Sequence, residues 1–264
     1  MWNHLAESVA GTSHFVSGTP CQDAHEVHLL DEGENQLFAF AIADGAGSAL
    51  YSGEAARLAV SSLIQEMSKP DRDRFFVDEA VAREMFDLVR QKLLSHADAL
   101  RCPARQLSCT LLGGLASSKK AWFAQIGDGA CVYGNTEGYH LATVPVCGEF
   151  VNQTVFVVSD DWEESFQFRS VAGPISGVAG FTDGLQNLII RFADNSVHEG
   201  FMDPIQQKLR MHDAVDLQEA FRSFIKSERI NSRTDDDKTL VIACWRGHGN
   251  PSDLDMGDAS SVKA

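Results

Sequence analysis

The chain has 264 residues, 44% of them hydrophobic, enough to bury a sizeable core and to argue against global disorder. Its 22 basic and 37 acidic residues leave a formal net charge of −15, a field that repels phosphodiester backbones and speaks against a nucleic-acid partner. Six cysteines without a C-x-x-C pair rule out zinc-ribbon and thioredoxin-like arrangements, and no apolar run reaches the length of a membrane span.

At the N-terminus, "MWNHLAESVAG" lacks the basic start and apolar stretch of a signal peptide. With scattered cysteines, that points to a reducing cytoplasm. Residues 38–43 read as a strand buried on both faces, which stops at Asp44 and is followed by Gly45, Ala46 and Gly47. Ser52 is placed to cap a helix with Glu54 in its first turn. Ala56, Ala59, Val60, Leu63, Ile64 and Met67 then recur at helical spacing until Pro70. A second helix over about 78–100 puts Val81, Met85, Leu88, Val89 and Leu93 on one side.

From 109 to 158 the apolar runs become short: "CTLLGGLA", "AWFAQIG", "ACVYG", "YHLATV" and "TVFVVS". Lys-Lys, Gly-Asp-Gly, Gly-Asn and Gly-Glu separate them, which is the punctuation of an antiparallel meander. Strands are expected near 165–171 and 178–181, helices near 204–211 and 217–228, and a last strand over 238–245. Residues from Gly247 onward are rich in Gly, Ser and Asp. The expected organisation is one catalytic domain over 1–248 and a disordered tail over 249–264. Helix pairs bracketing antiparallel strands imply an α+β fold: a two-sheet sandwich in α-β-β-α layers.

Several acids share one situation. Asp44, Asp128 and Asp183 each close an apolar run and are followed by glycine. Asp236 sits in "RTDDDKTLVIACW" before the last strand, and Asp23 in "SGTPCQDAHEV" before another. One Asp-Gly is commonly only a turn. Carboxylates gathered at strand ends, however, repel one another unless a cation joins them, and oxygen donors alone select Mg²⁺ or Mn²⁺ over zinc. Spacing by itself does not show that they converge.

In order, "PCQDA", "IADGAGS", "CTLLGGL" with "AQIGDGA", "FTDGL" and "DDKTLVI" resemble the motifs of the metal-dependent protein phosphatases of the 2C family, across residues 11–245. The short chain, "GTSH" and "GEFVNQT" resemble a bacterial subgroup. The resemblance implies that Asp44 bridges two Mg²⁺ or Mn²⁺ ions, and that Asp183 and Asp236 bind the first. It further implies that the Gly45 carbonyl serves the second ion, that Asp23 acts through a water, and that Asp128 helps hold a weaker third ion. Asp235 and Asp237 flank Asp236 and stay open as alternatives. The implied reaction is hydrolysis of phosphoserine or phosphothreonine on a protein by a hydroxide held between two ions roughly 3.5–4 Å apart. The phosphoprotein partner would come from a Ser/Thr kinase pathway.

The chain also departs from the pattern. Gln22 stands where the family has an acid, and Gly18 where it has a phosphate-clamping arginine. Ala46 replaces a histidine found in many animal members. His14, shortly before the first motif, is a candidate phosphate contact or general acid, set against an ordinary surface or core histidine. Glu149, Asn152, Gln153 and Thr154 form a polar break that reads as a hairpin loop or a substrate-facing lip. Two other functions remain compatible: an inactive relative acting as a phosphoprotein adaptor, and a metal-dependent nucleotide phosphodiesterase.

Overall fold

The computed structural model describes residues 1–31, 36–69, 78–146 and 154–247. Strand β1 (Trp2–Val9) is followed by the short helix α1 (Thr12–Ser17) and by strands β2 (Ala24–Leu30) and β3 (Leu37–Ala43). Helices α2 (Ser52–Met67) and α3 (Glu79–Leu100) come next. Two hairpins follow, β4 (Leu111–Ala116) with β5 (Lys120–Ile126) and β6 (Ala130–Asn135) with β7 (Gly138–Leu141); β5 and β6 lie in different sheets, so the expected meander is instead a crossing from one sheet to the other. A helical turn α4 (Trp162–Ser165) leads to β8 (Gln167–Ala172) and β9 (Gly177–Phe181). The turn α5 (Gln186–Ile189) and the two-residue strands β10 (Ile190–Arg191) and β11 (Ser196–Val197) precede α6 (Glu199–Met211), α7 (Ala214–Ile225) and α8 (Glu228–Asn231). Strand β12 (Lys238–Trp245) closes the fold.

Two five-stranded antiparallel sheets result, in the orders β1-β12-β9-β6-β7 and β2-β3-β4-β5-β8. Strand β3 shows why its sequence is apolar without alternation. Ala39, Ala41 and Ala43 face α2 and α3, whereas Phe38, Phe40 and Ile42 enter the core between the sheets. The small residues on the helix side let Ala55, Ala56 and Ala59 of α2 come close. Strand β12 splits likewise: Leu240, Ile242 and Cys244 lie toward α6 and α7, with Val241 and Ala243 inside the sandwich. The layers are therefore α-β-β-α, as expected from the helix pairs. No helix among the described residues is long and apolar enough to cross a membrane.

Several expectations are corrected. Strand β1 pairs with β12 from Trp2↔Trp245 to Val9↔Lys238, yet Asn3, His4, Glu7 and Ser8 hide it in the sequence. Ser52 is the first helical residue rather than the cap, which is Tyr51. Asp78 does cap α3, accepting from the Ala80 N–H at 2.8 Å. Leu88 lies on the outer side of α3 and is 39% exposed. The run at 154–159 is a turn and not a strand: Val157 is buried, and its N–H donates to the Cys109 carbonyl at 2.9 Å. Pro70, Glu149, Asn152, Gln153 and the tail from 248 onward lie outside the described residues.

Phe40 spans the sandwich. Its ring stacks on Phe38 at 5.8 Å and tilts against Phe123 at 6.4 Å. A Cβ on Gly114 of its own sheet would stand 2.7 Å from the ring, and one on Gly180 of the opposite sheet 2.6 Å. Truncation leaves a cavity that two glycine backbones cannot fill. Phe40→Ala should lower unfolding free energy by about 3–5 kcal/mol in a denaturant titration, while the half-exposed Leu29→Ala should change it by under about 0.5 kcal/mol. Equal effects of the two would contradict the placement of Phe40 at the sheet–sheet contact.

Candidate metal centre

Five strand termini meet at one end of the sandwich: the end of β3, the start of β2, the β5–β6 turn, the end of β9 and the start of β12. Asp44, Asp23, Asp128, Asp183 and Asp236 occupy these positions in turn. Neither sheet alone carries the set, so the site exists only because the two sheets pack.

The backbone around Asp44 is pinned to the segment before β4. The Asp44 N–H donates to Thr110 Oγ1 at 3.0 Å, the Thr110 N–H to the Asp44 carbonyl at 2.8 Å, and the Ala46 N–H to the Ser108 carbonyl at 3.0 Å. Gly45 thereby faces Cys109 as the non-bonded pair of an antiparallel bridge, with its own carbonyl directed away from Cys109. A Cβ on Gly45 would stand 2.8 Å from the Gln22 carbonyl oxygen and from the Ser52 backbone. Packing between the β2 and α2 segments therefore requires this glycine, whatever its carbonyl binds.

Asp23 is buried. Its Oδ2 accepts from the hydroxyls of Thr182 and Thr239, both at 2.8 Å, and its Oδ1 is buried with no protein donor. Asp183 Oδ1 is likewise buried without a donor. The carboxyls of Asp44 and Asp183 stand close enough to act on each other's ionisation, a juxtaposition that a cation or a shared proton relieves. Desolvation pushes the pKa values of Asp23, Asp44, Asp128 and Asp183 above the usual carboxylate range. Neighbouring charges add to it: Asp23, Asp183 and Asp128 act on Asp44, while Asp128 and Asp236 act on Asp183. At Asp128 the Thr154 hydroxyl opposes the shift, donating to Oδ2 at 2.5 Å.

The three acids before β12 separate cleanly. Asp237 is buried and accepts the Gly11 N–H at Oδ1 (2.7 Å) and the Gln22 N–H at Oδ2 (2.6 Å), fastening the segment before β2 to the start of β12. Asp235 uses its carbonyl, which takes the Ser13 N–H at 3.0 Å and its hydroxyl at 2.7 Å. Only the exposed Asp236 directs its charge toward Asp183 and Asp128. His14 Nδ1 lies 2.9 Å from Asp237 Oδ1, so Asp237 orients the imidazole. Lys238 is fully buried, and its Nζ donates to the Asp236 carbonyl at 3.2 Å.

The departures find local reasons. Gln22 Nε2 donates to Ser52 Oγ at 2.7 Å, tying the β2 segment to α2. Gly18 caps α1 with φ of 70°, a left-handed conformation that favours glycine over arginine. Thr182 and Thr239 are contributions that the motifs do not announce, and Asp237, open as an alternative to Asp236 in the sequence, proves to brace the backbone of Gly11 and Gln22. The threonines sit next to Asp183 and Lys238 in the quoted motifs, and only folding shows that both hydroxyls meet Asp23.

Among the described residues no group of three His, Cys, Asp or Glu side chains forms a ready-made metal cage. The donor set nonetheless fits hard divalent cations. It is all carboxylate, two buried carboxylate oxygens lack donors, and the Gly45 carbonyl is directed away from its neighbouring strand.

The sequence profile of the family described as Protein phosphatase 2C matches residues 10–225. Serine/threonine-protein phosphatase 3 of Escherichia coli (strain K12) is 35% identical over 249 residues, covering 92% of this chain and 98% of that protein. The serine/threonine phosphatase of S. agalactiae superposes with a TM-score of 0.63 at 15% identity, covering 92% of this chain and 99% of the other. PppA of Pseudomonas aeruginosa, described as a key regulatory component of T6SS, gives 0.62 at 15% identity, with 92% and 97% covered. At such identities these superpositions speak to the fold alone.

The raised pKa values set a pH dependence for the metal-free chain. A carboxyl whose folded value exceeds its ordinary 3.8 binds its proton more tightly when folded, so its contribution falls as pH rises. Asp183 is raised to about 6 and Asp23 to about 8, which places the loss between about pH 4 and pH 8. Thermal unfolding should show this slope flattened in Asp183→Asn, and the gain in Tm on adding Mn²⁺ should grow across the same interval. A slope unchanged by Asp183→Asn, with a pH-independent metal response, would contradict the cluster.

Proposed function

Because the chain belongs to the protein phosphatase 2C family, we propose that it is a metal-dependent phosphatase of phosphoserine and phosphothreonine in proteins. The observation that carries the reading is the pair of donorless buried oxygens, Asp23 Oδ1 and Asp183 Oδ1, within a group of mutually repelling acids. Two divalent ions, when bound, supply an acidified water and neutralise charge on phosphoryl oxygens. In this reading Asp44 would serve both ions, Asp183 and Asp236 the first and the Gly45 carbonyl the second. Thr182 and Thr239 hold one oxygen of Asp23, which leaves the other for a water, and Asp128, which accepts from the Thr154 hydroxyl, would help hold a weaker third ion.

The chain's own groups do the remaining work. Thr110 holds the Asp44 backbone still, so the carboxylate need not reorganise during the reaction. His14, oriented by Asp237, is a candidate to contact phosphate or to protonate the leaving alkoxide. The five described cysteines form no disulfide, which supports a reducing compartment such as the cytoplasm.

Hydrolysis of a phosphothreonine peptide across a Mn²⁺ and Mg²⁺ series, with excess chelator as control, tests this reading. Turnover should vanish on chelation and return with either ion. Asp44→Asn keeps the shape and turn preference of the position, and should lower turnover at least about a hundredfold and shrink the metal-induced gain in Tm. Asp87→Asn, on α3 with Gln91 at 3.5 Å as its hydrogen-bond partner among the described residues, should do neither. Full activity in chelator, or near-normal turnover by Asp44→Asn, would end the two-metal reading; absence of turnover with every ion would favour an adaptor.

A further inference from the structure

On the face of the sandwich away from α2 and α3, the helices around the β1-β12 sheet do not close completely. A cavity of about 440 Å³ remains between α5, α6, α7 and α8. Leu188, Phe201, Ile205, Leu217, Phe221 and Phe224 give it an apolar wall, with the Phe201 and Phe224 rings 5.8 Å apart. Lys208, Arg229 and Arg233 also line it. All three are exposed, and none pairs with a carboxylate among the described residues. In a chain of net charge −15, three cations left without acids at one apolar opening are a local reversal of the overall field. The volume is that of a small-molecule site, and an apolar wall with a few charges at its edge is how such sites fix orientation.

We propose that this cavity binds a small amphipathic anion: an apolar chain or ring that fills the space against Phe201 and Phe224, with a carboxylate or phosphate head that meets Lys208, Arg229 and Arg233. Its walls also suit it to regulate the acidic end of the molecule. Asn187 and Leu188 follow Asp183 by four and five residues, and Arg233 precedes Asp236 by three. A ligand that draws α5 toward α8 acts on both segments that carry these acids. The site stands on its own geometry, whereas the regulatory half rests on the phosphatase reading.

Titration calorimetry of the full chain with decanoate, decyl phosphate, decanol and decyltrimethylammonium tests the proposal. Decanoate or decyl phosphate should saturate a single site, and comparison of the two identifies the preferred head. Decanol and the ammonium compound should bind at least about tenfold more weakly. Ala220→Trp, which fills the cavity from an exposed position on α7, should abolish the isotherm. Lys208→Gln with Arg229→Gln should weaken the anions but leave decanol unchanged. Equal binding of all four heads, an isotherm that survives Ala220→Trp, or no saturable binding would overturn the site.

For the regulatory half, saturating anion should change aryl phosphate turnover by about fivefold or more, and should fail to do so in Ala220→Trp. An unchanged rate at saturation overturns the coupling. If the chain turns over no phosphate at all, the phosphatase reading fails by itself. Calorimetry then still decides the site, and amide exchange over 183–188 and 230–237 decides the coupling.

Discussion

Like charges brought together in a partly dry space are the constraint on which this molecule turns. Asp23, Asp44, Asp128, Asp183 and Asp236 stand at strand ends where burial weakens hydration and neighbouring carboxylates make one another harder to ionise. A fold that gathers them must hold the backbone rigidly or the carboxyls will swing apart. The strand ladders do this, since each acid lies within a residue or two of a paired strand position. Lys238, buried beneath Asp236, sets one positive charge among them.

Holding the acids also needs contacts between segments remote in sequence. Asp237 accepts N–H groups from Gly11 and Gln22, more than two hundred residues away, and orients His14 with the same carboxylate. Thr182 and Thr239, from adjacent strands, converge on one oxygen of Asp23 and leave the other without a donor. Close backbone approach is part of the arrangement: a Cβ on Gly184 would stand 2.0 Å from the Asp237 carbonyl oxygen. Asp237 is thus a structural carboxylate within a triplet of acids, with both oxygens hydrogen-bonded to remote backbone, whereas the carboxylate of the exposed Asp236 accepts only from the adjacent Asp237 N–H among the described residues.

The same segments relate the acidic end to the outer helices. The turn after Asp183 becomes α5, and the stretch before Asp236 leaves α8, so both walls of the outer cavity continue into the acid-bearing loops. The opposite helix layer, α2 and α3, buries small and aliphatic side chains together with Phe86 in one continuous core. Lys208, Arg229 and Arg233, without a carboxylate partner among the described residues, lie on the side of the outer cavity.

Residue type and local pattern were enough for much of this. The unbroken apolar run before Asp44 reads as a strand with both faces covered, because its alanines and phenylalanines serve different cores. The helical spacing after 52, the four short strands from 111 to 141 and the last strand are likewise written in local periodicity, whereas the crossing between sheets from β5 to β6 is not. Asp-Gly at three strand ends picks out Asp44, Asp128 and Asp183 of the acidic cluster, since each acid and the glycine after it are neighbours in the chain. What pairing and packing decided was everything that depends on partners far apart. Strand β1 is too polar to announce itself and forms because β12 offers a full ladder. The apolar run at 154–159 becomes a buried turn because Cys109 presents a carbonyl to Val157. The different surroundings of Asp236, exposed, and Asp237, buried with its oxygens taken by Gly11 and Gln22, and the meeting of Thr182 and Thr239 at Asp23, depend on side-chain directions that one-dimensional spacing leaves open until the two sheets meet.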